Sequence, residues 1–470
     1  MLLRVALTLL TVAVGASSAQ ADEPAAVSPG KVSYFRDVRP ILAERCQGCH
    51  QPAKPLGGLV MTSLAEMAKG GESSVAGIVA GKPDESEIIK QITPQGDSGA
   101  AMPKDQPALA AVQVELIRRW IAEGAADDTP ATERVTIDMA HPPTYVGLPV
   151  ISSLAWSPDG TMIAVAGYHE VLLHSADGSQ ILARLVGLSE RIQSLAFSPD
   201  GKRLAVTGGS PGRFGEVQIW DIEKRSLLTS KSVTYDTIYG ASWSNDGTKV
   251  AFGCGDNTLR VINAESGQQV LFGGAHSDWV LDTVFSSDDS HLISVSRDRS
   301  MKLTEVATQR FVDNITSITP GALKGGLQTV ARRPQKDELL IGGADGIPKL
   351  YKTYREQARV IGDDFNKIRE FGGLPGRINA AEFTADGNRL AVGSSSDGTG
   401  QVRVYNTDDA KLISQAEGEP GPIYALSFNP AGTQLAAGGF DGQVRLYEVE
   451  TGKLLKEFAA APVTPAVAGN

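Results

Sequence analysis

The chain of 470 residues is short of cysteine, histidine and aromatic side chains: it holds three cysteines and six histidines, and 6% of its residues are aromatic. An odd and small number of cysteines excludes a fold built on disulfides. No run of Lys or Arg stands out and the formal net charge is −10, so the electrostatic footprint of a nucleic-acid binder is missing. No apolar stretch reaches the roughly 20 residues needed to span a bilayer. What is present, 41% apolar and 21% charged residues, is an ordinary globular mixture on a chain long enough for more than one domain.

The first residues, "MLLRVALTLLTVAVGASSAQADEP", place one basic residue, Arg4, before an apolar core from Val5 to Ala16 and then Ala19-Gln20-Ala21. That is the layout of a cleaved secretory signal. The expectation is a signal peptide over 1–21, cleavage after Ala21, and an exported, periplasmic protein with no transmembrane segment after cleavage.

The hydrophobic pattern changes once. From 31 to 126 apolar residues follow helical spacing, and from 135 to 458 they form short alternating runs broken by Gly, Asn and Asp. The acidic, proline-containing link "AADDTPATE" marks the boundary, with 127–134 as linker and 459–470 as a disordered C-terminal tail.

Two of the cysteines, Cys46 and Cys49, lie in the helical part, in "ERCQGCHQP" with His50 directly after the second. A structural zinc site needs four ligands, and this part offers no second Cys or His cluster. A thioredoxin-like motif needs a preceding strand, whereas "YFRDVRPILAE" reads as a helix. The remaining chemistry of C-x-x-C-H is covalent attachment of one haem c: two sulfurs on one turn form thioethers and His50 ligates the iron. Cys254, in the strand-like "VAFGCGD", reads as an inert apolar residue.

His50 is the one histidine of the helical part, so the sixth iron ligand is sought among Met61, Met67 and Met102. Met67 has the spacing of a core residue. Met102 sits in "SGAAMPKDQPALAA", a loop of small residues that suits a thioether ligand, with Met61 the next choice. The helix "ALAAVQVELIRRWIAEGA" carries an apolar stripe of Leu109, Val112, Leu116, Ile117, Trp120 and Ile121, and Gly124 stops it. Taken in order, "VRPIL", "GGES", "GKPDES", "AMPKD" and "RRWIAEGA" around the C-x-x-C-H resemble the planctomycete-type cytochrome c domain. The resemblance implies a small all-α class I cytochrome c fold in which Cys46 and Cys49 hold the haem and His50 and Met102 ligate its iron.

The larger part repeats itself. "SLAWSPDGTMIAVAG", "SLAFSPDGKRLAVTGG", "GASWSNDGTKVAFGCG", "DTVFSSDDSHLISVS", "TVARRPQKDELLIGG", "AAEFTADGNRLAVGSS" and "ALSFNPAGTQLAAGG" recur at spacings of roughly 40 to 50 residues. Each unit gives strands around a Pro-Asp-Gly-like turn, as in the blades of an all-β, seven-bladed propeller. The units resemble WD repeats, although only Trp220-Asp221 keeps the name-giving dipeptide. Asp256, Asp298, Asp345, Asp397 and Asp441 are read as turn-formers. His276 is expected to bond Asp298, while His169, His174 and His291 lack metal-ligand spacing. The segment "ERVTIDM" is expected as a strand beside the last blade's outer strand.

Together these features describe a periplasmic monohaem c-type cytochrome that transfers electrons to or from a redox partner protein, its propeller serving as docking or scaffold domain. Two rival readings stay open. One is an oxidoreductase with a catalytic site in the propeller fed by the haem domain, a layout shared by cytochrome-cd-type nitrite reductases, which have one more blade and a second haem. The other is a haem-bearing interaction scaffold.

Overall fold

The computed structural model describes residues 30–464, apart from 53, 74, 97–98, 105, 131–136, 275, 320–322 and 419–420. The expected signal peptide lies outside the described residues, as does half of the linker.

The N-terminal part is a small helical assembly. A π-helical turn over Tyr34–Val38 runs directly into α1 (Arg39–Arg45), with Ser33 capping the turn by accepting the Arg36 N–H. Three helices follow: α2 (Leu64–Lys69), α3 (Glu87–Ile92) and α4 (Ala111–Ala122). A two-stranded ribbon, β1 (His50–Gln51) and β2 (Lys54–Pro55), interrupts them, so the part is mainly rather than wholly helical. Val38, Leu42, Met67, Ile89, Ile117, Trp120 and Ile121 form its core. Tyr34 stacks on Trp120 with ring centroids 5.1 Å apart, tying the first turn to the last helix. Val112, expected in the apolar stripe of α4, is 37% exposed. It lies in the helix's first turn.

From Leu154 onward the chain is all-β and propeller-like. The first sheet runs β3 (Leu154–Trp156), β4 (Met162–Ala166), β5 (Tyr168–Ser175), β6 (Ile181–Phe197), β7 (Arg203–Ser210), β8 (Phe214–Asp221) and β9 (Ser226–Thr234). It holds two repeat units, because β6 pairs with β5 through its first half and with β7 through its second. Five four-stranded antiparallel sheets follow, over 238–273, 280–314, 327–370, 377–415 and 423–459.

The repeat turns explain the regularity. In the first, Asp159 Oδ1 accepts the Ser157 hydroxyl at 2.5 Å and the Thr161 N–H at 3.0 Å, and Gly160 takes φ +72°. Asp200, Asp246, Asp288 and Asp386 repeat the arrangement. The fourth unit lacks the glycine, and there Asp289 adopts φ +61°, a region that Asp tolerates better than most residues.

The inner strand of each unit packs on that of the next, and the first strand of the last sheet packs on β3. Ile151, Leu154, Trp156, Ile163 and Val165 from the beginning share one core with Ala425, Ala436, Val444 and Leu446 from the end. Polar side chains stitch neighbouring inner strands: Ser153 accepts Leu195 N–H, Ser194 accepts Ala241 N–H, Asp282 accepts Val330 N–H and Glu382 accepts Phe428 N–H, all within 3.0 Å.

Two expectations about the ends are corrected. All four strands of the last sheet come from the C-terminal end, and Leu454–Ala459 is its outer strand. The segment "ERVTIDM" falls partly outside the described residues. Its Met139 lies instead beside the first unit, where Met139 Sδ accepts the Val186 N–H at 3.3 Å. The tail expected to be disordered from 459 is packed through Thr464. Ala460 and Ala461 are buried, Val463 bridges Tyr145, and Thr464 N–H bonds the Tyr145 carbonyl at 2.8 Å.

Candidate functional site

The end of α1 delivers the cysteine motif. Leu42's carbonyl accepts the Cys46 N–H, and Cys46's carbonyl accepts both the Cys49 and the His50 N–H at 3.1 Å, so the three residues share one tight turn. Both cysteines are free. Burial pushes the Cys46 thiol up to about 12, outweighing the pull of Arg45 and joined by the nearby Cys49. His50 Nδ1 lies 3.0 Å from the Leu56 carbonyl. Burial holds the imidazole below its ordinary range, against hydrogen bonds to the Leu56 and Leu59 carbonyls that act the other way. A neutral ring with Nδ1 committed to a carbonyl presents Nε2 as the ligating atom.

Cys46, Cys49, His50 and Met102 all line one cavity of about 570 Å³, a size typical of cofactor sites. The expected residues, more than fifty positions apart at the extremes, are thus brought together. Met61 and Met67 line the same cavity. They differ in where their backbones are tied. Met61 N–H bonds the His50 carbonyl at 2.7 Å, which puts it on the His50 wall, and Met67 is fully buried in the helical core. Met102 N–H bonds Gln91 near the end of α3 at 2.9 Å, on a different element.

The donor set fits a haem. Two thiols, an imidazole and a thioether face a mainly apolar cavity, and Arg45, whose Nη2 donates to the Pro107 carbonyl, also lines it. Arg45 Nε is buried without a hydrogen-bond partner among the described residues. Among the described residues no group of three or more His, Cys, Asp or Glu could hold a metal ion. A haem iron with one His and one Met ligand requires no such group.

In the propeller-like part His276, His174 and His291 are each hydrogen-bonded. His276 Nδ1 lies 2.9 Å from Asp298, as expected, and its Nε2 lies 2.8 Å from Ser294 Oγ. His174 meets the Ala460 carbonyl and His291 meets Ser290. Asp256, Asp298, Asp345 and Asp441 each accept the N–H two residues on. Asp397 is the exception: Ser396 and Thr399 close that turn through their backbones.

Sequence reasoning missed Gly48 and Gln51, which flank Cys49 and His50 and touch strand β9 of the other domain. Glycine in the motif's spacer was the one available signal.

Residues 46–106 match the family described as Planctomycete cytochrome C. Residues 186–464 match the nucleolar protein 10-like, N-terminal domain, and residues 143–179 the WD domain, G-beta repeat. The chain is 25% identical over 355 residues to apoptotic protease-activating factor 1 of Mus musculus, covering 73% of this chain and 26% of that protein. It is 23% identical over 226 residues to eukaryotic translation initiation factor 3 subunit I of Candida glabrata, covering 48% of this chain and 51% of that protein. To the serine-threonine kinase receptor-associated protein of Gallus gallus it is 22% identical over 246 residues, 46% of this chain and 68% of that protein. The chain therefore spans about a quarter of the first of these relatives and about half of the second. No helix among the described residues is long and apolar enough to cross a membrane.

Proposed function

This chain belongs to the family of the nucleolar protein 10-like, N-terminal domain, and we propose that the helical part in front of that domain makes it a monohaem c-type cytochrome acting in electron transfer. The observation that carries the reading is the single cavity shared by Cys46, Cys49, His50 and Met102. Cys46 and Cys49 would hold the haem c, His50 would be its proximal ligand and Met102 its distal one. Haem in that setting supplies a reversible one-electron carrier. The chain contributes the rest. The Leu56 carbonyl orients the His50 ring, the apolar cavity wall excludes water, and Arg45 brings a positive charge to the cavity's edge.

The class I character of the helical part and the closure of the propeller-like part into a seven-bladed ring belong to the same proposal. Export to the periplasm through the leader over 1–21, and a redox partner protein docked on or beside the propeller, complete it. The ring reading is supported by the Trp156 N–H bonding Ser427 Oγ across the two ends of the domain.

The test is the exported protein made in a host that matures c-type cytochromes. A pyridine haemochrome assay is expected to give one haem per chain that acid acetone does not extract. Two haems per chain, or an extractable haem, overturns the reading.

A further inference from the structure

We propose that strand β9 is a docking strip for the haem-motif loop, and that Ser230 and Glu216 of the propeller-like domain are positioning residues that fix His50 through its neighbour Gln51. The proposal rests on the haem reading above.

Strand β9 is the outer strand of the first sheet. An outer strand carries a row of backbone groups without sheet partners, which proteins pair or cover. Here the cover is the helical domain. Lys54 Nζ donates to the Leu228 carbonyl at 2.6 Å, and Ser232 Oγ donates to the Ala43 carbonyl at 3.4 Å. Between them Gln51 Nε2 donates to Ser230 Oγ at 3.0 Å, and Gln51 is 1% exposed.

Ser230 passes the contact inward. Its hydroxyl donates to Glu216 Oε1, while Glu216 Oε2 accepts Ser189 Oγ at 2.6 Å and Gln218 Nε2 at 2.7 Å. Gln218 is held in turn by Trp220 Nε1 at 2.8 Å. A buried carboxyl is costly unless its lone pairs are used. Glu216 is buried with hydroxyl and amide donors around both oxygens, so Ser230 and Gln51 have a fixed anchor beneath them.

Gly48 shows how closely the loop is pressed. A Cβ there would lie 2.6 Å from the Ser230 carbonyl oxygen, closer than van der Waals contact permits. The second spacer residue of C-x-x-C-H is therefore small because another domain's backbone occupies the space. Gly48 and Gln51 stand on either side of Cys49 and His50, so the two contacts hold the ligand's own backbone from both directions.

The experiment uses the full exported chain with Gln51→Ala, Ser230→Ala and Ser230→Thr, and with Gly48→Ala as a second lever from the other side of the contact. Haem per chain, haem reduction potential and backbone hydrogen exchange over residues 226–234 are measured on each. Gln51→Ala and Ser230→Ala are expected to keep the covalent haem, to raise exchange in β9 several-fold and to move the potential. Ser230→Thr, which keeps the hydroxyl, should restore both. Exchange in β9 at the wild-type level in Gln51→Ala and Gly48→Ala overturns the docking. A potential that stays at the wild-type value while exchange rises overturns the positioning role. Should the wild-type chain bind no haem, the haem reading fails, while exchange in β9 alone still decides the docking.

Discussion

The backbone N–H of Trp156 and the hydroxyl of Ser427 are joined at 3.1 Å although they stand 271 positions apart. This bond links the first inner strand to the last. Ser427→Ala leaves the Trp156 N–H without its acceptor in a buried place, and a buried unpaired donor costs about 1–3 kcal/mol. Urea unfolding followed by circular dichroism should show a loss of that size, with the strand content at zero urea unchanged. A loss near zero would mean that this bond does not hold the two ends together.

Glu382 sits one inner strand earlier, in the neighbouring seam, where its carboxyl accepts the Phe428 N–H at 2.8 Å and the Ser427 hydroxyl at 3.3 Å. Burial pushes that carboxyl up to about 8, overriding both bonds. A raised acid binds its proton more tightly in the folded state. Its contribution is complete below the ordinary glutamate range and is lost as pH rises through 8. Asp282, raised to about 6 by burial, acts in the same direction over a lower window. Glu382→Gln keeps an acceptor for Phe428 and removes the titration. The variant should gain stability over wild type as pH goes from 5 to 9, by an amount on the order of a few kcal/mol. Parallel unfolding curves at the two pH values would refute this.

Met102→Ala tests the proposed distal ligand. With Cys46, Cys49 and His50 intact the haem should stay attached, while the reduced iron becomes open to carbon monoxide and the potential falls. The weak sulfur-to-iron band at the red end of the oxidised spectrum should disappear. If that band survives and carbon monoxide is still excluded, the ligand is Met61 or Met67, both of which line the same cavity.

Local chemistry was legible in the sequence, and so were the elements that repeat. The C-x-x-C-H turn, the loop of Met102 and the helix bearing Trp120 all announce themselves within a few residues. The repeat units do so by recurrence, and the His276–Asp298 bond follows from their register. The contacts between distant parts were not legible. Gln51 and Ser230 are 179 positions apart, and no periodicity marks either as the other's partner. Tyr145 and Val463 likewise meet only because the fold brings both ends of the propeller-like part to one place. The alternation of Val135, Ile137 and Met139 suggested a strand, yet Ile137 and Met139 form none, and Met139 is used for its sulfur against the Val186 N–H.

The uninterrupted run of β6 from Ile181 to Phe197 has a mechanical meaning. Neighbouring sheets elsewhere meet through side chains and scattered polar bonds, so a crack between them parts a dry seam. Between the first two repeat units a crack would also have to bend one unbroken strand, in which Arg191 pairs with Tyr168 on one side and with Gly209 on the other. The first seven strands are thus one plank rather than two. Strand β9 is the outer edge of that plank, and the loop of the cysteine motif is fastened to it.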